Sequence, residues 1–353
     1  MFANIINNPN LLGGNRGVLS VAGQLLEQDR RFALALVTST KGSTYRKPGA
    51  LALCVEGGIS ESVISGGCLE SNWHKIAGEV ISSGIPQSLL FDTQSDDDLL
   101  FGSGSGCRGS MRVLVVPVSK QDPHPLYTAI IDAHERHQTL RLAVVVNGLG
   151  CAQGMVWSGT ETRHFTDYKS QLHRLQVATN GEHEIEMVDG HIATAALLDI
   201  SPAPRVLLIG ASVETPYLIR MVRMLGWFAT AVDHRPAQLD KHAAEADCIV
   251  ALKPAAALAR HGASLFDAAL IMSHSATTDL EALRILAERN DSYIGLLGPP
   301  ARRDELMSQL SDGQRASLLP RLHAPLGLRL GGNGPEPLAL SIAAELQRVF
   351  HDE

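Results

Sequence analysis

Short apolar runs, set apart by glycine- and proline-bearing turns, organise the second half of this chain. "RVLLIG" (205–210) is such a run, ending at Gly210. "VETPYLIRMVRMLG" (213–226) follows, with Tyr217, Leu218, Met221, Val222 and Leu225 at helical spacing and Gly226 as the stop. "WFATAVD" (227–233) predicts a second strand ending at Asp233. "DCIVAL" (247–252), "AALIMS" (268–273) and "YIGLLG" (293–298) predict three more, with helical stretches such as "DLEALRILAERN" (279–290) between them. Alternating apolar strands and amphipathic helices predict a doubly wound, parallel-sheet domain of the Rossmann-like kind.

The first half is less regular. "RFALALVTST" (31–40), "GALALCVEGG" (49–58) and "SMRVLVVPV" (110–118) read as strands. "ESNWHKIAGEVISSG" (70–84) reads as a helix with Trp73, Ile76, Ala77, Val80 and Ile81 on one face. These elements predict an α/β domain with a mixed sheet. Pro202 and Pro204, just ahead of the run at 205, mark a linker, so we expect domains at 1–202 and 203–353. No internal repeat or low-complexity segment is visible in the sequence.

Composition narrows the classes. Of 353 residues, 45% are hydrophobic and 19% charged, with a formal net charge of −7. No basic block stands out, so neither nucleic acid nor an anionic membrane is an expected partner. The opening "MFANIINNPNLLGG" has no basic and apolar signal-peptide regions, and no apolar run approaches the ~18 residues that span a bilayer. A cytoplasmic location is therefore expected. The five cysteines do not form a disulfide framework. Cys54 and Cys248 read as buried strand residues and Cys151, after "NGLG", as an exposed bystander. No zinc-ligand spacing occurs, and the 14 histidines are scattered.

Two cysteines differ from the rest. "SGGCLESN" (65–72) and "SGSGCRGS" (103–110) each place a thiol in a glycine-rich turn, where close approach to the backbone is permitted. Cys68 precedes the start of the helix read at 70–84, whose dipole favours thiolate. Arg108 does the same for Cys107. "KGSTYRKPGA" (41–50) sets Lys41, Arg46 and Lys47 beside Gly42, Ser43 and Thr44, a set of donors suited to an anion. The plainer alternatives are tight turns with incidental thiols and a solvated hairpin. In the second half, Asp233 stands about 20 residues after Gly210, where dinucleotide folds place the ribose-binding carboxylate. The loop Gly210-Ala211-Ser212-Val213-Glu214-Thr215 keeps only the first glycine of the phosphate fingerprint, and Glu214 adds negative charge where a phosphate would sit. NAD(P) binding is accordingly expected to be weak or absent.

"TKGSTYRKPGA", "ISGGCLE", "GSGCRGSMRVLVVP", the strands around Gly210 and Asp233, "YIGLLG" and "GLRLGGNGPEPLALSIAAEL" occur in that order. This ordered set resembles the XdhC/CoxI family of xanthine dehydrogenase accessory proteins. The resemblance implies a molybdenum cofactor-binding chaperone and maturation factor, not an enzyme. Such a protein protects molybdopterin with its metal, supports its sulfuration and inserts it into a molybdenum hydroxylase of the xanthine dehydrogenase or aldehyde oxidoreductase type. It also implies an apo molybdenum hydroxylase and a cysteine desulfurase as partners, and a homodimer. The family's cysteine turns map onto Gly67, Cys68 and Glu70 and onto Cys107, with Arg108 beside it and Cys107 as the molybdenum contact. Its cation loop maps onto Gly42, Ser43 and Arg46, and its nucleotide loop onto Gly210 and Asp233. If both cysteine turns serve one site, their sulfurs should lie on the order of 10 Å apart or closer. Two rival readings remain from the residues alone. One is an NAD(P)-dependent oxidoreductase using the second domain, with His274 as its base; the other is a scaffold that docks the apo-enzyme without cofactor.

Overall fold

The structure is a computed structural model that describes residues 12–57, 60–64, 70–92, 109–187, 190–261 and 266–351. It divides into two compact units, one made of residues 14–203 and the other of 204–353 with the N-terminal residues. Among the described residues no helix is long and apolar enough to cross a membrane.

The N-terminal unit opens with helix α1 (Gly14–Glu27). Strands β1 (Phe32–Gly42), β2 (Leu51–Val55) and β3 (Ser60–Glu61) follow, then helix α2 (Glu70–Ser83) and strands β4 (Gln87–Asp92) and β5 (Gly109–Val118). The sheet order is β3-β2-β1-β5-β4. The same sequence of elements then recurs: helix α3 (Pro125–Glu135), strands β6 (Leu140–Asn147), β7 (Gly154–Ser158) and β8 (Glu161–Phe165), short helix α4 (Lys169–His173), and strands β9 (Gly181–Glu186) and β10 (Ile192–Ile200). The second sheet has order β8-β7-β6-β10-β9, the same connectivity as the first. The half is α/β, and its strands form two sheets, each antiparallel throughout, rather than one mixed sheet.

Strand alternation explains the layering. Phe32, Leu34 and Leu36 of β1 turn to a core shared with Leu142, Val144 and Val146 of β6, and α1 and α3 contribute to that same core. Ala33, Ala35 and Val37 turn to the other face, where α2 packs Trp73, Ile76, Ala77, Val80 and Ile81. The second sheet's outer face is covered by Leu172 of α4 and its neighbours. A buried aromatic such as Trp73 is costly to truncate, about 3–5 kcal/mol for comparable sites.

The C-terminal unit alternates strand and helix as far as β15: β11 (Arg205–Ile209), α5 (Thr215–Met224), β12 (Phe228–Val232), α6 (Pro236–His242), β13 (Cys248–Val250), α7 (Pro254–His261), β14 (Ala268–Ile271), α8 (Ala276–Ala287) and β15 (Tyr293–Leu296). Two helices, α9 (Pro300–Ser308) and α10 (Asp312–Leu318), then precede β16 (Leu322–His323) and α11 (Pro335–His351). All strand pairs are parallel, in the order β13-β12-β11-β14-β15-β16. Separate apolar clusters cover the two faces, as a doubly wound sheet requires. In α5 the buried residues are Thr215, Leu218, Ile219 and Val222. Ile219 takes a core place that the spacing of Tyr217, Met221 and Leu225 did not mark, and those three are only half-buried. Cys54 is buried as its strand suggests. Cys248 is exposed, because β13 is the edge of the sheet and its thiol faces outward. Cys151 packs half-buried against the shared core, and burial pushes its thiol up.

Candidate functional site

Three connections leave the first sheet at one end. β1 runs out at Gly42, which is paired with Gly109 at the start of β5, and Lys41 is paired with Ser110. Asp92, at the end of β4, is also paired with Ser110. β3 runs antiparallel to β2 toward the same end before α2 opens at Glu70. The cation loop after β1, the link from β3 to α2 and the link from β4 to β5 are therefore joined to one rim of one sheet. Gly67 and Cys68 fall in the second link and Cys107 and Arg108 in the third. These four lie outside the described residues, as does the side chain of Glu70.

The described part of the rim is tightly built. A Cβ on Gly109 would lie 2.2 Å from the Ser43 carbonyl oxygen and 2.9 Å from that of Lys41, so only glycine lets the two chains touch here. Asn15 of α1 pins the far side of the cation loop, donating to the Gly49 carbonyl (2.8 Å) and accepting from the Leu51 N–H (2.9 Å). Within the loop, Thr44 Oγ1 donates to the Arg46 carbonyl. The Arg46 guanidinium donates to the Leu51 carbonyl (3.1 Å), and burial lowers its pKa. Among the described residues it has no carboxylate partner, while the Lys41 and Ser43 side chains are exposed.

Below the rim a second polar group links the two sheets. Arg112 of β5 donates through Nε to Glu182 of β9 at 2.7 Å, and Ser39 of β1 donates to the same carboxylate. Burial works to raise the Glu182 pKa, but these hydrogen bonds and the charges of Arg112 and Lys41 outweigh it and hold the carboxylate ionised. Sequence reasoning assigned no role to Glu182 and none to Arg112, although Arg112 lies within "GSGCRGSMRVLVVP". Their pairing depends on sheets that meet only in three dimensions.

In the C-terminal unit, Gly210 has φ +107°, and a Cβ there would lie 2.3 Å from Ser273 Cα. Its glycine identity follows from the close passage of β14's end. Asp233 follows β12 and is almost wholly buried. Its carboxylate accepts the Ala211 N–H (2.9 Å), the Arg235 N–H (2.9 Å) and two guanidinium donors of Arg235 (2.9 and 2.7 Å). Burial opposes its ionisation, but the Arg235 and backbone hydrogen bonds prevail and keep its pKa below the usual range. Ahead of α5, Ser212 Oγ donates to Glu214 (2.5 Å), the Ser212 N–H is taken by Thr215 Oγ1 (3.0 Å), and His274 Nε2 stands 3.3 Å from the same Glu214 carboxylate. His274 itself has φ +57°. Beside them, Ser273 Oγ donates to Asp279, which is buried and paired with Arg302 at 2.7 Å. Between the ends of β11, β12 and β14 lies a cavity of about 180 Å³, lined by Gly210, Asp233, His234, Arg235, Ser275 and Thr278 among others.

The two units match separate family models. One, described as the XdhC and CoxI family, covers residues 25–92; the other, described as the XdhC Rossmann domain, covers residues 206–346. The chain belongs to the XdhC and CoxI family. The first match contains Gly42, Ser43, Arg46, Gly67, Cys68 and Glu70, and the second contains Gly210 and Asp233; Cys107 and Arg108 fall between them. A similar relative is a probable xanthine dehydrogenase subunit of Bacillus subtilis (strain 168), 27% identical over 327 residues, covering 91% of this chain and 94% of that protein. The uncharacterized protein YqeB of Escherichia coli (strain K12) is 25% identical over 192 residues, covering 51% of this chain and 34% of that protein. Among solved structures, a crystal structure of a xanthine dehydrogenase from Bacillus halodurans superposes with a TM-score of 0.76 and 25% identity, over 95% of this chain and 96% of that one.

Proposed function

We propose that this protein serves the maturation of a xanthine dehydrogenase-type molybdenum hydroxylase by holding the molybdenum cofactor and delivering it to the apo-enzyme. Membership of the XdhC and CoxI family and the likeness to proteins named for xanthine dehydrogenase support the maturation role. The observation that carries the cofactor reading is the rim of the first sheet. There Arg46, half-buried with no carboxylate partner among the described residues, stands on the loop that also carries Lys41 and Ser43, and that loop abuts the strand leading out of the Cys107 turn.

The described residues fit the cofactor's phosphate end. A half-buried guanidinium with no carboxylate partner among the described residues is suited to meet an anion, and a phosphate accepts from Arg, Lys and hydroxyl donors together. Arg46 would bind that phosphate and orient it, with Lys41 and Ser43 completing the donor set. When bound, the cofactor supplies the molybdenum centre that the client enzyme uses for hydroxylation. Cys107 and Cys68, which lie outside the described residues, would offer thiolates to the molybdenum, with Arg108 favouring the ionised form of Cys107, and a cysteine desulfurase would provide the sulfur. Replacing Cys107 with alanine should leave the fold intact, abolish retention of molybdenum and pterin, and abolish activation of a co-expressed client. Cys68→Ala should reduce both less. Full retention and client activation by the Cys107→Ala protein would overturn the assignment of that thiol.

A further inference from the structure

The cavity of the C-terminal unit stands apart from that reading. It sits where the strand order reverses, with β12 on one side of β11 and β14 on the other. This is the place where open parallel sheets bind ligands, beyond the carboxyl ends of their strands. In a dinucleotide site the carboxylate after the second strand accepts from a ribose hydroxyl, and the turn after the first strand seats the pyrophosphate. Here both tasks are blocked by named contacts. Asp233 already accepts two backbone N–H groups and two donors of Arg235. The pyrophosphate seat holds the Glu214 carboxylate, kept in place by Ser212 and His274, and the Ser212 N–H is spent on Thr215.

The same contacts create a different recognition surface. Asp233 fixes the Arg235 guanidinium at the cavity wall through Nε and Nη2, leaving Nη1 and one N–H of Nη2 to meet a ligand. Ser275 and Thr278 line the cavity, with Ser275 Oγ accepting the Thr278 N–H and hydroxyl, and the Asp279–Arg302 pair braces Ser273 beside them. We propose that this cavity binds a nucleoside monophosphate, with Arg235 as the phosphate anchor, and that Glu214 excludes the second phosphate of a dinucleotide. This inference concerns the C-terminal unit alone and is independent of the cofactor-carrier reading.

Calorimetric titration of the full-length protein with 2′-AMP, 3′-AMP, 5′-AMP, adenosine and NADP+ tests it. At least one AMP isomer should bind about tenfold or more tighter than adenosine and than NADP+, the size expected of one charge-assisted phosphate contact. The preferred isomer identifies which ribose hydroxyl carries the phosphate. Inorganic phosphate should compete with that isomer on the unaltered protein. Arg235→Gln should weaken it about tenfold, with the thermal melt reporting that the unit is still folded. The double variant Ser212→Gly, Glu214→Ala should keep AMP binding and gain affinity for NADP+. If no AMP isomer outbinds adenosine, or phosphate does not compete, the proposal is wrong. It is equally wrong if NADP+ binds the unaltered protein as tightly as AMP does.

Discussion

At the scale of single residues, Gly109 and Gly23 make opposite predictions. Gly109 has Ser43 and Lys41 carbonyl oxygens where a methyl group would go. Gly109→Ala must push β5 off the end of β1, and overpacking of this kind costs about 1–3 kcal/mol. Gly23 lies inside α1 with nothing within 4 Å of its added Cβ. Gly23→Ala should leave stability unchanged or raise it by about 0.5–1 kcal/mol, because alanine loses less freedom in a helix. Paired thermal melts of the two variants check this, and equal melting temperatures would contradict the packing described at the rim. The glycine-rich turn around Cys107 contains Gly109, yet nothing in the sequence says what touches it. That contact needs β1 and β5 side by side, and they are far apart along the chain.

At the scale of elements, helix α3 carries an unusual cap. His124 Nδ1 accepts the Leu126 N–H at 3.2 Å, which only a neutral ring nitrogen can do. Burial pushes the His124 pKa down to about 4, with Asp122 nearby opposing in part. Between an unfolded pKa of about 6.5 and the folded value of about 4, the unfolded chain binds the proton and the folded chain does not. Stability of the N-terminal unit should therefore fall as pH drops through that window. His124→Asn keeps an acceptor at the cap without a titrating group, so its stability should be flatter over the same range. Urea melts at pH values across the window measure the difference, and identical slopes for both proteins would contradict the assignment. The periodic elements were the legible ones: α2 buries all five residues its spacing marks, and the first five strands of the C-terminal unit fall where the apolar runs placed them, while β16 had no such run. The cap was not legible, since histidine is a poor statistical cap and its role here depends on burial.

At the scale of the whole molecule, the N-terminal unit uses one strand order twice. The sequence shows no repeat because the two sheets share only a pattern of inward and outward positions, which many residues satisfy. The copies differ in their connections. The link from β4 to β5 spans residues 93–108, whereas that from β9 to β10 spans only 187–191. The long link that carries Cys107 thus belongs to one module, and the other braces that module through Glu182. In the C-terminal unit the parallel sheet and the position of Asp233 followed from the alternation of runs, while the strand order came from the structure. The occupation of Asp233 by Arg235 did not, because it is set by side-chain geometry two residues on.

Whether the first module's rim holds the molybdenum cofactor is decided by what the protein carries when purified from a host that makes that cofactor. Molybdenum is read by mass spectrometry and oxidised pterin by fluorescence after acid release. Both should be present together, in comparable amounts, and both should be lost from the Arg46→Gln protein while it remains folded. Protein free of both pterin and molybdenum under those conditions would refute the carrier role.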